Sequence, residues 1–333
     1  MTAPALGERF RGRGALVVGG LGLIGSAIAR ALVDAGADVR IVDALVEGCG
    51  GNRANIRGIE DRVEMIEGDI RDADLVPALL EKREFVFNLS GKMSHLDSMK
   101  HPLEDLEHNC RAQLTLLDAC RRLTDPPVVV FAGTRQIYGR PETLPVDESH
   151  PVRPADVNGI HKAAAEEYHL LLGRVYGFPV TVLRLTNTYG PGMRISDARQ
   201  TFLGVWLRAL LEGREIEVWG DGSQLRDFTY VDDVVRAFML VASDPRAHGR
   251  ALNVGGERPV TLRELAETAI AINGGGSYRL VPFPQDRLAI DIGSFVTDDS
   301  AIRTLLGWAP LVPLEEGLAR ALAFYREHGA HYR

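Results

Sequence analysis

Cysteine and lysine are scarce in these 333 residues: there are three of the first (Cys49, Cys110, Cys120) and four of the second (Lys82, Lys92, Lys100, Lys162). The odd, scattered cysteines exclude a disulfide scaffold and lack metal-ligand spacing, so no metal is expected. They read as small apolar fillers in a reducing, cytoplasmic compartment. Positive charge is also short, with a formal net charge of -7. Binding dominated by phosphate contacts needs a concentrated basic face, so a nucleic-acid or anionic-membrane partner is not expected. Any phosphate must be handled locally. Long apolar runs are missing as well, and no stretch reaches the roughly 18 residues of a membrane span. The uncharged segment 14–29 follows Arg11 and Arg13 like a signal peptide, but its glycine phasing gives it another task.

What is present is ordinary globular composition, 45% hydrophobic and 25% charged. The length suits two domains or one large α/β unit. In the first half, short apolar runs alternate with helical patterns. Strands are expected at Ala15–Gly19, Asp38–Asp43, Val63–Glu67, Phe85–Leu89, Val128–Ala132 and Val180–Leu185, and helices at Ile24–Ala35, Ala73–Glu81, Leu103–Arg121 and Asn158–Tyr176. Sustained βαβ alternation predicts a Rossmann-type doubly wound parallel sheet. After Arg184 the texture changes to loops and turn residues such as Gly190-Pro191-Gly192 and Gly220-Asp221-Gly222. A helix at Val231–Ser243 and a strand at Ala251–Val254 read as returning to the first unit. The expected division is therefore a cofactor-binding domain over 1–185, rejoined by 231–254, and a smaller α/β substrate domain over 186–230 and 255–333.

Gly19, Gly22 and Gly25 form a Gly-x-x-Gly-x-x-Gly between a strand and a helix, with Leu23 and Ile24 inside it. The first glycine permits the tight turn, the second the approach of backbone N–H groups to a pyrophosphate, and the third close packing of helix on strand. The diphosphate then meets unpaired N–H groups at the positive end of the helix dipole. Asp43 ends the next strand, where a carboxylate accepts from ribose hydroxyls and repels a 2′-phosphate, which predicts NAD rather than NADP. Asp69 and Ile70 are placed to hold the adenine. Leu89, Ser90 and Gly91 follow the fourth strand along the cofactor's path.

With these motifs come Gly133-Thr134-Arg135-Gln136-Ile137-Tyr138-Gly139, the run Leu183 to Pro191, the run Gly220 to Phe228 with Arg226, and the closing Leu306-Gly307-Trp308-Ala309-Pro310. In this order they resemble the extended short-chain dehydrogenase/reductase family, specifically nucleotide-sugar epimerases and dehydratases of the UDP-glucose 4-epimerase type. The resemblance implies an NAD⁺ that takes hydride from a sugar carbon and returns it. It implies that Thr134 bonds the reacting sugar oxygen, that Lys162 holds the nicotinamide ribose, and that Asn109 lies near the cofactor. It further implies that Asn187 touches the phosphates, Arg226 and Arg287 grip the diphosphate, and the strand from Glu217 to Trp219 lines the base, with Arg199 a further phosphate candidate. A nucleotide-diphosphate sugar, with a UDP-sugar favoured, is the implied ligand. A homodimer is implied through the segments Leu103–Arg121 and Asn158–Tyr176, whose Leu114, Leu117, Ala164, Tyr168 and Leu171 suit either a dimer seam or the protein's own sheet.

One departure stands out. The family's Tyr-x-x-x-Lys is here Asn158-Gly159-Ile160-His161-Lys162. A phenol can accept the sugar proton as hydride leaves, whereas a carboxamide has no proton equilibrium near neutrality. Asn158 can orient but cannot be the base, and Lys92 and His95, just after the fourth strand, are the substitutes. The carboxylic pair a dehydratase needs is replaced by Arg135 and Gln136. Epimerisation is thus the expected reaction; oxidation, reduction, decarboxylation or elimination of a nucleotide sugar, and a binding protein that has lost its base, are the alternatives.

Overall fold

A computed structural model describes residues 6–198 and 201–332. The first half runs β1 (Gly14–Val18), α1 (Leu23–Asp34), β2 (Asp38–Asp43), β3 (Val63–Glu67), α2 (Val76–Leu80), β4 (Phe85–Asn88), α3 (His95–Lys100), α4 (Pro102–Leu106), α5 (Ala112–Cys120), β5 (Val128–Thr134), α6 (Val157–Tyr176) and β6 (Val180–Leu185). The second half adds β7 (Asn187–Tyr189), α7 (Phe202–Leu211), β8 (Ile216–Trp219), β9 (Leu225–Tyr230), α8 (Val231–Ser243), β10 (Arg250–Val254), β11 (Pro259–Thr261), α9 (Leu262–Asn273), β12 (Tyr278–Val281), α10 (Gln285–Leu288), α11 (Ser300–Leu306) and α12 (Leu314–His328).

Seven strands form one parallel sheet in the order β10-β6-β5-β4-β1-β2-β3. Its strands are apolar throughout because both faces are covered. In β1, Ala15 and Val17 enter one core with Leu32 of α1 and Phe238 of α8, while Leu16 and Val18 enter the other with Leu79, Leu116 and Leu117. This is the Rossmann-type doubly wound α/β fold. The strand order reverses between β1 and β4, which opens a crevice at their carboxyl ends. A three-stranded sheet, β11-β9-β7, and the pair β12-β8 wall the second half of that crevice.

Two helices differ from the sequence pattern. The expected helix over 73–81 shortens to α2, with Pro77 in its first turn. The expected helix over 103–121 is α4, a wide π turn over Glu107–Arg111, and then α5. The extra residue in a π turn shifts the helical phase, and both Asn109 and Gln113 end up fully buried toward the crevice. Helix α3 lies outside the expected elements; Ser94 starts it by accepting from the Asp97 N–H at 3.2 Å.

The closing Leu-Gly-Trp-Ala-Pro is fastened by one buried carboxylate. Asp233 of α8 accepts from the N–H groups of Leu311 and Val312 at 2.9 and 3.0 Å, and its carbonyl accepts from the Trp308 indole at 3.0 Å.

Candidate active site

The crevice at the switch point holds a cleft of about 300 Å³, and a second cavity of about 580 Å³ adjoins it toward the smaller sheets. Gly19, Gly22, Leu23, Ile24 and Gly25 line the cleft together with Asp43, Asp69, Ile70, Leu89, Ser90 and Gly91. Gly19 has φ +75°, open to glycine at no steric cost, and a Cβ on Gly25 would collide with the Gly19 carbonyl oxygen. Gly22 begins α1 without a side-chain cap, so its first N–H groups face the cleft. Asp43 accepts from Leu21 N–H at 3.0 Å and Leu45 N–H at 2.9 Å, one on each oxygen, which leaves further acceptor capacity on both. Burial raises its pKa. Asp69 differs from a free adenine acceptor: Arg71 chelates it at 2.6 and 2.9 Å, overcoming burial and holding its carboxyl below the usual range.

Asn109, Asn158 and Lys162 meet behind Gly91. A Cβ on Gly91 would stand 2.8 Å from Lys162 Nζ and closer still to Asn109 Oδ1, so only glycine lets the chain pass. The Asn158 amide nitrogen donates to the Lys92 carbonyl at 2.8 Å and to Asp105 Oδ2 at 3.0 Å. Both of its hydrogens are thereby used, and the atom left over is a carbonyl oxygen, an acceptor without a proton to exchange. Asp105 Oδ1 accepts from His161 Nδ1 at 2.7 Å, so His161 is tied to this second-row carboxylate. Asn109 donates to the same Lys92 carbonyl at 3.1 Å, and its Oδ1 is buried without a partner. Burial lowers the Lys162 pKa to about 8 against the attraction of Asp105.

The two substitute bases part company here. Lys92 lines the cleft, but its Nζ pairs with Glu104 at 2.5 Å and its carbonyl accepts from Asn158 and Asn109. His95, at the start of α3, lines both the cleft and the second cavity. Its Nδ1 lies 2.9 Å from Asp156 Oδ2, while Asp156 Oδ1 caps α6 by accepting from Gly159 N–H at 2.7 Å. Gln136 Nε2 approaches the same Nδ1 at 3.1 Å; in the tautomer that donates Nδ1–H to the carboxylate, Nε2 is the acceptor. Burial works to raise the Asp156 pKa, but the contacts from His95 and Gly159 hold it below the usual range. Thr134, at the end of β5, accepts from Gln136 N–H at 3.2 Å and keeps its hydroxyl hydrogen free to donate.

Asn187, Glu217, Trp219, Arg226 and Arg287 line the second cavity, with Phe202, Trp206 and Phe283 supplying apolar wall. Asn187 donates to the Asp227 carbonyl at 2.8 Å and accepts from Arg135 at 3.1 Å. Arg226 donates to the Leu225 and Gly293 carbonyls at 2.8 and 2.5 Å, and burial lowers its pKa. Arg287 stacks 4.8 Å from the Trp219 ring centroid. Glu217 pairs with Arg279 at 2.5 Å, and its carbonyl accepts from Trp206 at 3.1 Å. Arg199 lies outside the described residues. Asp156, Asp105 and Arg135 were not among the expected site residues, although Asp156 carries the local signal of a helix cap.

The sequence model of the NAD dependent epimerase/dehydratase family matches residues 15–255. The chain belongs to that family. It is 34% identical over 314 residues to UDP-glucose 4-epimerase of Mycolicibacterium smegmatis, covering 93% of this chain and 98% of that one. The crystal structure of UDP-glucose 4-epimerase from Thermotoga maritima with UDP-glucose matches with a TM-score of 0.85 at 29% identity, over 94% of this chain and 99% of that one. A dTDP-glucose 4,6-dehydratase from Streptomyces venezuelae with NAD bound matches with a TM-score of 0.87 at 28% identity, over 96% and 98% of the two chains.

NAD is the cofactor of this epimerase/dehydratase family member, and the residues present fit it. The bare Gly25 cradle, the paired oxygens of Asp43 and the unpartnered Asn109 Oδ1 beside Lys162 would suit, in order, a pyrophosphate, a ribose and the nicotinamide end.

Lys162 makes a prediction about stability in the cofactor-free protein. Its pKa is about 8 folded and 10.5 in the reference state, so the unfolded chain binds the proton more tightly. The resulting cost, on the order of 3 kcal/mol, is full below pH 8 and is relieved as pH rises toward the unfolded value. Lys162→Met is expected to raise urea-unfolding stability at neutral pH, with the gain falling by about half near pH 9.5. A gain independent of pH would contradict the buried-charge account.

Proposed function

We propose that this protein is an NAD-dependent nucleotide-sugar epimerase, acting on the hexose of a UDP-sugar, in which His95 replaces the family's tyrosine as base. The observation that carries the reading is the His95–Asp156 dyad at the junction of cofactor cleft and second cavity. Bound NAD⁺ supplies a hydride acceptor that later gives the hydride back. As hydride leaves carbon, the hydroxyl proton passes to His95 Nε2, and Asp156 stabilises the imidazolium. Thr134 donates to the reacting oxygen as its charge develops. Lys162 holds the nicotinamide ribose, Asn158 contributes one acceptor oxygen, and Arg226 and Arg287 meet the diphosphate against Trp219. The same imidazolium returns its proton when hydride returns to the other face of the carbon, so no reductant is consumed. Arg135 and Gln136 offer no carboxylic pair for dehydration.

In this reading residues 1–185 with 231–254 bind the cofactor, and 186–230 with 255–333 bind the nucleotide sugar. The free thiols of Cys49, Cys110 and Cys120 support a cytoplasmic setting. A homodimer through the α5 and α6 faces is supported by exposed Leu114 (38%), Leu171 (44%) and Val175 (61%), whereas Leu117 is buried in the chain's own core.

The test of function is incubation with UDP-, GDP-, CDP- and dTDP-sugars, following isomer formation and NADH absorbance. His95→Asn is expected to lower kcat by about 10²- to 10⁴-fold with NAD⁺ affinity retained. Full turnover by that variant removes His95 as the base, and absence of any isomer from the wild type removes the epimerase reading. For assembly, Leu114→Glu with Leu171→Glu is expected to convert a dimer to a monomer by light scattering. A wild type already monomeric at micromolar concentration refutes the seam.

A further inference from the structure

Arg135 has no direct ion-pair partner among the described residues; Asp227 and Asp291 attract it only from beyond contact. Its guanidinium donates from Nη2 to Asn187 Oδ1 at 3.1 Å and lies 5.0 Å from the Phe295 ring centroid, while Nη1 is buried with no partner. Among the described residues no carboxylate forms an ion pair with it. The nearest acids are engaged elsewhere: Asp227 accepts from the Thr186 hydroxyl at 2.8 Å, and Asp291 accepts from Gln224 at 2.9 Å and Gly293 N–H at 3.1 Å. Burial, with the like charge of Arg226, lowers the Arg135 pKa to about 9 against the attraction of Asp227 and Asp291. A buried guanidinium with an unpartnered Nη1 and no direct ion pair is costly unless a ligand completes it.

Its position says which part of a ligand does so. Arg135 lines both the cofactor cleft and the second cavity, as do His95 and Gln136, whereas Arg226, Arg287 and Trp219 line the second cavity alone. It follows Thr134 directly in the chain. The guanidinium therefore stands at the sugar end, beside the hydride-transfer point, and the diphosphate end has its own arginines. Building on the proposed nucleotide-sugar reading, we propose that the sugar carries a carboxylate, a uronic acid in place of a neutral hexose, and that Arg135 is the residue that selects it. Guanidinium and carboxylate match in geometry and charge. The sugar would bring the direct ion pair that Asp227 and Asp291 do not make.

The experiment is calorimetric titration of the NAD⁺-loaded protein with UDP, UDP-glucose and UDP-glucuronate. The wild type is expected to bind UDP-glucuronate at least about tenfold tighter than UDP-glucose. Arg135→Gln, checked for retained NAD⁺ binding, is expected to abolish that preference while changing UDP affinity less than about threefold. Equal affinity of the wild type for the two sugars overturns the proposal whether or not the variant folds. Equal weakening of all three ligands in Arg135→Gln also overturns it, by assigning the arginine to the diphosphate. Failure of the wild type to bind UDP or either sugar would count against the nucleotide-sugar reading itself, whereas binding without discrimination counts only against the carboxylate.

Discussion

The two oxygens of Asp156 join the parts of this site. One caps α6, the helix that carries Asn158 and Lys162, and the other holds His95 at the start of α3. A single carboxylate thus fixes the proposed base relative to the lysine that it must work beside. The cap alone stabilises a helix end by about 1 kcal/mol. The carboxylate favours the Nδ1–H tautomer of His95, in which Nε2 is the acceptor. Without Asp156, the helix start and the imidazole lose their common reference.

A second carboxylate explains why the tyrosine position tolerates asparagine. Asp105 bridges Asn158 and His161, and both it and the Lys92 carbonyl draw on the Asn158 amide. The side chain has become part of the wall. Meanwhile the site concentrates cations, namely Lys162, Arg135, Arg226 and Arg287, in a chain of net charge -7. Of these, Lys162 and Arg135 are desolvated and form no ion pair among the described residues, which fits pockets that wait for anionic or electron-rich groups.

The fold was readable because both periodicities were intact: apolar strands two-sided in burial, and helices with one apolar stripe. The glycine turn was readable because each glycine has a local geometric reason. The interrupted helix over 103–121 was not, since a π turn changes phase by one residue without altering composition. The dyad escaped for a different reason. His95 stood out by its place after β4, but Asp156 looks only like a helix cap, and 61 positions separate the two until α3 packs against α6. Lys92 illustrates the converse: it follows β4 and lines the cleft, but its amine is paired with Glu104, twelve residues on, a partner that its own position does not announce. In Arg135 the sequence displayed a missing acid. Its unpaired charge is a property of three-dimensional surroundings alone.

In the proposed reaction, proton transfer has moved from the tyrosine position to His95. A crystal structure with NAD⁺ and a bound UDP-sugar tests it most directly. The account predicts His95 Nε2 and Thr134 Oγ1 within about 2.6–3.2 Å of the same sugar hydroxyl. A complex in which that hydroxyl meets Lys162 or an ordered water near Asn158, with His95 turned away, would contradict it.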